Sequence, residues 1–315
     1  MIIVFGSNVL DLFFHQSDLP PKDTALFIES HEEAPGGKGA NQAVAAVRAG
    51  SEVRFFGALG DGGHGRQMYK NLAKCGLDVS GVEFLDNIPS GLATIFVDDT
   101  DGTHKIVVSQ GANLHARQET IPDKLLTKDT IVLVQGELPI DQTMALLNRA
   151  KQKGARSVMN FAPATQKLTE QALHDLYAII LNEYEANQIG KMFGMETHDK
   201  PAFATALCER FNLITLITLG GVGSIVASPE GLWVVSPLTI KPLDTVGAGD
   251  AYTGYFCAAL DQGKDFETAL RGASVAGSVA CTKVGAQTAL PFVDEVLGHV
   301  DQIKVRSISS KDAAA

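Results

Sequence analysis

Tryptophan occurs once in these 315 residues, cysteine only four times, and basic side chains fall ten short of acidic ones. A net charge of −10 with no basic block to offset it argues against non-specific binding to nucleic acid. Cys75, Cys208, Cys257 and Cys281 include no Cys-x-x-Cys pair, and no histidine or cysteine cluster has zinc spacing, which argues against a transition-metal site. Free thiols suit a reducing cytosol. The apolar run Ile2-Ile3-Val4-Phe5 is too short for a membrane span and lacks the basic leader of a signal peptide, so a cytoplasmic protein with no membrane partner is expected. Internal repeats and low-complexity linkers are absent, and so is the phosphate-loop pattern G-x-x-x-x-G-K-[ST].

What is present is an alternation. Runs at Ile2 to Phe5, Val53 to Phe56, Ile131 to Val134, Ser157 to Phe161, Ala178 to Leu181 and Leu213 to Thr218 are apolar on both faces, the mark of central parallel strands. Helical stretches separate them: Lys38 to Ala49, Gly65 to Cys75, Asp141 to Lys153, Glu183 to Phe193 and Pro201 to Phe211. The rhythm predicts an α/β sandwich, and the chain beyond Asp250 reads as mostly helical. Two segments break it. Residues 12–34 are more polar, and residues 91–110 alternate about a turn at 98–102, as a β-hairpin does. Neither is long enough for a domain. Together they predict a small β-sheet lid on a main body of residues 1–11, 35–90 and 111–305, with 306–315 as a tail.

Two glycine-rich stretches carry the chemistry. Asp244-Thr-Val-Gly-Ala-Gly-Asp250 precedes an apolar, small-residue run. A glycine-rich turn entering a helix leaves backbone N–H groups unpaired and pointing one way, which makes an anion cradle. A carboxylate at its mouth suits the acceptor of a proton from a hydroxyl that attacks a phosphoryl group; it equally suits an N-capping aspartate. Pro35-Gly36-Gly37-Lys38-Gly39-Ala40-Asn41-Gln42-Ala43 opens another helix, which Gly50 is placed to stop. Lys38 and Asn41 can donate to hydroxyls; a tight loop with a surface lysine is the alternative.

These paired stretches resemble the signatures of the PfkB (ribokinase-like) family of carbohydrate kinases. Gly36, Gly37, Asn41, Ala43, Gly50 and Gly60 fall at the spacing of the first signature. Asp244, Thr245, Gly247, Ala248, Gly249 and Asp250 match the second, and the resemblance runs from about Ile3 to Pro291. Tyr255 departs from it, since the family usually has a small residue after Gly254. The resemblance implies a three-layer sandwich with a mostly parallel central sheet, and a lid that covers the sugar and often joins two subunits into a homodimer. It also implies ATP-dependent phosphorylation of a primary hydroxyl on a small sugar, with D-ribose to D-ribose 5-phosphate leading. Another pentose, fructose or a nucleoside stays open, as does a non-catalytic sugar-binding protein of the same fold.

Residue by residue, the resemblance implies that Asp250 is the base and that the N–H groups of Gly247, Ala248 and Gly249 hold the charge on the transferred group. Asp11, Gly37, Lys38, Asn41 and Glu137, with Asp250 itself, line the sugar pocket. Asn182 faces the nucleotide phosphates and Glu185 holds Mg²⁺, largely through water; a helix-start capping pair is the plain alternative for the two. Thr218, Gly220 and Gly223 lie where a strand ends in glycines that let the backbone approach ATP. Asp244 and the carbonyls of Val246, Ala280, Lys283 and Gly285 would surround a monovalent cation such as K⁺, though Ala289 replaces a serine common at the end of that loop. Where ribokinases commonly carry asparagine two residues before the aspartate, this chain has Val9, which removes one polar contact. A competing pattern, Gly60-Asp61-Gly62-Gly63-His64-Gly65 with Glu83 beyond, fits a dinucleotide-binding turn, but it does not follow the first strand.

Overall fold

A computed structural model describes residues 1–15, 22–25, 27–97 and 104–308. In chain order the elements are β1 (Ile2–Phe5), β2 (Val9–His15), β3 (Glu32–Gly36), α1 (Lys38–Arg48), β4 (Val53–Gly60), α2 (Gly63–Lys74), β5 (Asp78–Leu85), β6 (Gly91–Val97), β7 (His104–Ser109), β8 (Ile131–Gln135), α3 (Ile140–Lys153), β9 (Arg156–Asn160), α4 (Glu170–Asp175), β10 (Ala178–Asn182), α5 (Glu183–Phe193), α6 (Lys200–Phe211), β11 (Ile214–Thr218), β12 (Ser224–Ser228), β13 (Gly231–Val235), α7 (Ala248–Asp261), α8 (Phe266–Ala280), α9 (Val293–Leu297) and β14 (Val305–Ile308).

Strand residues alternate between two cores. Ile2 and Val4 point into one with α1, α7 and α8, while Ile3 and Phe5 point into the other with α3, α5 and α6. A sheet buried on both faces needs apolar residues at every position, which is why the six central runs read as unbroken. The sheet order is β14-β13-β12-β11-β10-β9-β8-β1-β4-β5. It is parallel from β11 to β5 and antiparallel at the β12–β14 edge. Residues 306–308, expected in a tail, belong to that edge: β14 pairs with β13 from Val305 to Ile308. No helix among the described residues is long and apolar enough to cross a membrane.

A separate four-stranded sheet, ordered β3-β2-β6-β7, forms the lid. It takes more of the chain than the polar stretches suggested. β2 starts pairing at Val9, opposite Gly36 and Gly91, because one extended run carries on through Asp11. Leu10, Leu12 and Leu92 turn towards Leu59 and Met68 of the body; Val9 and Phe13 pack with Ala93 and Ile95 on the other face. β6 and β7 pair antiparallel as the hairpin reading requires; its turn at 98–102 lies outside the described residues.

Candidate active site

The first glycine-rich stretch falls at the C-terminal ends of β1 and β8, where open parallel sheets present their ligands. Gly37 begins α1 without a side-chain cap. Glu137, just past β8, supplies one instead: its Oε2 accepts from the Lys38 N–H at 2.9 Å and from the Ser7 hydroxyl. Burial pushes the Glu137 carboxyl up, against the opposing pull of Lys38. Asp11 lies alongside, against Gly36, where an added methyl would come within 2.1 Å of its Oδ2. Burial first, and the Glu137 charge second, push the Asp11 carboxyl up to about 7.

Asp250 is the third residue of α7, and Gly247 is the N-cap, in a left-handed conformation with φ of 78°. The capping alternative therefore fails, because the Asp250 carboxylate bonds to another helix. Its Oδ2 accepts from Asn41 Nδ2 at 3.0 Å and its Oδ1 from Gln42 Nε2 at 2.9 Å. The two helices meet closely because residue 254 is glycine. A methyl there would lie 2.5 Å from Ala45 Cβ and 2.7 Å from the Gln42 carbonyl. Lys38 stands among these acids. Burial alone would lower its ammonium, but the charges of Asp250, Glu137 and Glu185 carry it above its ordinary value.

Asn182 and Glu185 form the reciprocal cap that was the plain alternative for them. Glu185 Oε2 accepts from the Asn182 N–H at 2.8 Å, its Oε1 from Asn182 Nδ2 at 2.9 Å, and Asn182 Oδ1 accepts from the Glu185 N–H at 2.9 Å. The Glu185 carboxyl is still pushed up by burial, and it feels both Lys38 and Asp250, so it belongs to the same charged cluster. On the far side of the α7 N-terminus, Thr218, Gly220 and Gly223 line a cavity of about 430 Å³ with Thr245, Ala248 and Gly249. The stretch from 247 to 250 thus borders this cavity at Ala248 and Gly249 and the acidic pocket at Asp250. Asp244 joins two loops, its oxygens accepting from the N–H groups of Val246 and Gly285 at 2.9 Å each.

The competing glycine turn does not form such a site. Its strand, β4, is the second of the parallel set, and Glu83 is committed to Arg117 at 2.8 Å. Among the described residues no cluster of three or more His, Cys, Asp or Glu is arranged to hold a metal. All four cysteines are free thiols. Gln42, Gln135 and Asn160 are the functional neighbours that the sequence reading passed over. All three are buried amides, and the pattern Gly-Ala-Asn-Gln at a helix start carried only the hint that an amide follows Asn41.

Residues 1–292 match the pfkB family carbohydrate kinase profile. The chain belongs to that family. It is a ribokinase-like carbohydrate kinase, a phosphotransferase that acts on an alcohol group. It is 32% identical to the ribokinase of Bacillus subtilis over 297 residues, covering 94% of this chain and 97% of the relative. It is also 28% identical to a deoxyribokinase of Salmonella typhimurium over 297 residues, covering 93% and 96%. The solved structure of Arabidopsis thaliana ribokinase complexed with ribose and ATP superposes with a TM-score of 0.86 at 27% identity, covering 95% of this chain and 98% of that one.

Proposed function

We propose that this kinase transfers the γ-phosphoryl group of ATP to the primary hydroxyl of D-ribose, giving D-ribose 5-phosphate. The observation that carries the reading is the Asp250 carboxylate. It is buried at the α7 N-terminus, held by two amide donors, between the acidic pocket and the glycine-lined cavity. Asp250 is too weak a base to ionise a sugar hydroxyl in advance. It accepts the proton as the new O–P bond forms and the hydroxyl becomes acidic. The N–H groups of Gly247, Ala248 and Gly249 take the charge that builds on the transferred group. Asp11, Gly37, Lys38, Asn41 and Glu137 hold the sugar, and Thr218, Gly220 and Gly223 border the nucleotide.

Mg²⁺ fits the donor set, since hard cations take carboxylate oxygens and keep several waters. Glu185 would hold it through water with the lone pairs its cap leaves over, and Asn182 would face the phosphates. The ion supplies charge neutralisation on the phosphates. For a monovalent cation such as K⁺, the fit rests on Asp244, which ties the loop of Val246 to the loop of Gly285. The carbonyls of Val246, Ala280, Lys283 and Gly285 would complete the set, and Ala289 leaves it one side-chain oxygen short. We place the protein in the cytoplasm, supported by its four free thiols. Its partners would be a sugar, ATP and a second copy of itself. The exposed apolar run Ile106, Val107 and Val108 on the lid supports that copy.

Val9 favours a second substrate. It is buried against Ala93 and Ile95 and offers the sugar no polar contact, which suits a deoxyribose lacking one hydroxyl. A coupled ADP-release assay over ribose, deoxyribose, fructose and nucleosides separates the readings. Ribose giving the highest kcat/KM supports the proposal, and deoxyribose exceeding it selects the second. ADP release with none of these sugars would leave a sugar-binding protein without turnover.

A further inference from the structure

Behind Asp250 lies a chain of three buried amides whose orientations are all fixed by one backbone carbonyl. The Ile180 carbonyl on β10 can only accept, and Asn160 Nδ2 on β9 donates to it at 3.2 Å. Asn160 must therefore turn Oδ1 the other way, where it meets Gln42 Nε2 at 2.9 Å. The second hydrogen of that Gln42 nitrogen goes to Asp250 Oδ1, also at 2.9 Å. Gln42 Oε1 in turn accepts from Gln135 Nε2 at the end of β8, at 2.9 Å. An amide flip at Gln42 would set its oxygen against both Asn160 Oδ1 and the carboxylate, and its nitrogen against the Gln135 donor. Side-chain amide orientation follows from such networks. Gln42 is fully buried, so no water substitutes for its bonds.

We propose that Gln42 is a positioning residue for the phosphoryl transfer: locked by Gln135 and Asn160, it presents a fixed N–H to Asp250 Oδ1, and with Asn41 on Oδ2 it holds the carboxylate in one rotamer, aimed at the attacking hydroxyl. The strands β8, β9 and β10 thus set the orientation of a side chain on α7 through α1. The other charged groups facing Asp250 are Lys38 on α1, Glu137 after β8 and Glu185 on α5. The proposal rests on Asp250 being the proton acceptor, and its test keeps the two apart.

Gln42→Met preserves length and packing while removing both donors. With Asp250 intact, kcat should fall about 10- to 100-fold, the worth of a hydrogen bond to a charged group, while the KM values for sugar and ATP move little. On an Asp250→Asn background the same substitution should cost almost nothing further. An equal loss in both backgrounds, or a loss that appears in KM rather than kcat, overturns the positioning role and leaves Asp250 as the base. Near-parent activity of Asp250→Asn alone removes the underlying reading instead. If Gln42→Met does not fold, Gln135→Met keeps Gln42 and its bonds to Asn160 and Asp250 but removes the donor that holds Gln42 Oε1, so the amide is less firmly held. It should then give the same loss of kcat at smaller size, and an unchanged kcat in that variant overturns the proposal.

Discussion

Asp250 differs from an ordinary aspartate of a first helical turn in where its oxygens go. Both reach across to α1 and neither bonds an N–H of its own helix. Asp250→Asn keeps the shape and would remove the proposed proton acceptor, so on that proposal turnover should drop about 10²- to 10⁴-fold. ATP binding should hold, because the glycine N–H groups and Asn182 remain. Steady-state kinetics beside nucleotide titration checks this, and turnover within a few-fold of the parent would make Asp250 a structural residue only. Asp11 adds a pH dependence. Its carboxyl stands at about 7, well above the ~3.9 of an unfolded aspartate. The folded state therefore holds a proton that the unfolded chain has released, and Asp11 takes stability away as pH rises from about 4 to 7. If Asp11 holds the sugar as proposed, sugar hydroxyls donate to its ionised form and binding would have to expel that proton below pH 7. The sugar KM should rise as pH falls through about 7, by at most about tenfold per unit, while the ATP KM stays level. Asp11→Asn should flatten the sugar profile; a profile that keeps its slope in that variant assigns the titration elsewhere.

At the scale of elements, the crossing of α1 and α7 sets the site. Gly254→Ala would put a methyl 2.5 Å from Ala45 Cβ and 2.9 Å from the Ala46 backbone nitrogen, so the helices must move apart. Overpacking of this kind costs about 1–3 kcal/mol. It also moves Asp250 from Asn41 and Gln42, so a lower melting temperature should come with a lower kcat. A variant that melts lower yet keeps its kcat would show that the site tolerates the shift. The same crossing shows what a sequence can carry. The parallel strands were legible because burial on both faces leaves no polar position, and α1 and α5 were legible from glycine and capping signals at their ends. The β12–β14 edge was not, because β12 and β13 are short strands flanked by glycine turns that read like loops after β11, and β14 returns to the edge only after α7, α8 and α9. β2 was passed over at Val9–Asp11 because a strand that carries a pocket carboxylate loses its apolar alternation. Asp250, Lys38 and Asn41 were legible as types of chemistry. The amide chain through Gln42, Asn160 and Gln135 was not, since its members are 93 and 118 residues apart from Gln42 and only the sheet order brings them together.

For the whole molecule, the lid presents the exposed apolar surface on which a second copy would sit. Its outer strand β7 leaves Ile106, Val107 and Val108 more than half exposed, and an apolar sheet edge in water is a template for pairing with another chain. We predict a homodimer joined lid to lid. A stable pairing of this kind hides about 1,200–2,000 Å², so sedimentation at micromolar concentration should give the dimer mass. Val107→Glu puts a charge on the exposed patch without touching the body, and should yield a monomer whose main-body stability is unchanged. The lid also carries Asp11 on β2, paired directly with β6. Loosening it should therefore raise the KM for sugar more than the KM for ATP, whose proposed cavity lies on the other side of the α7 N-terminus. A parent protein that sediments only as a monomer removes the dimer. A monomeric Val107→Glu variant with an unchanged sugar KM would show that pairing stabilises the lid without shaping the pocket beneath it.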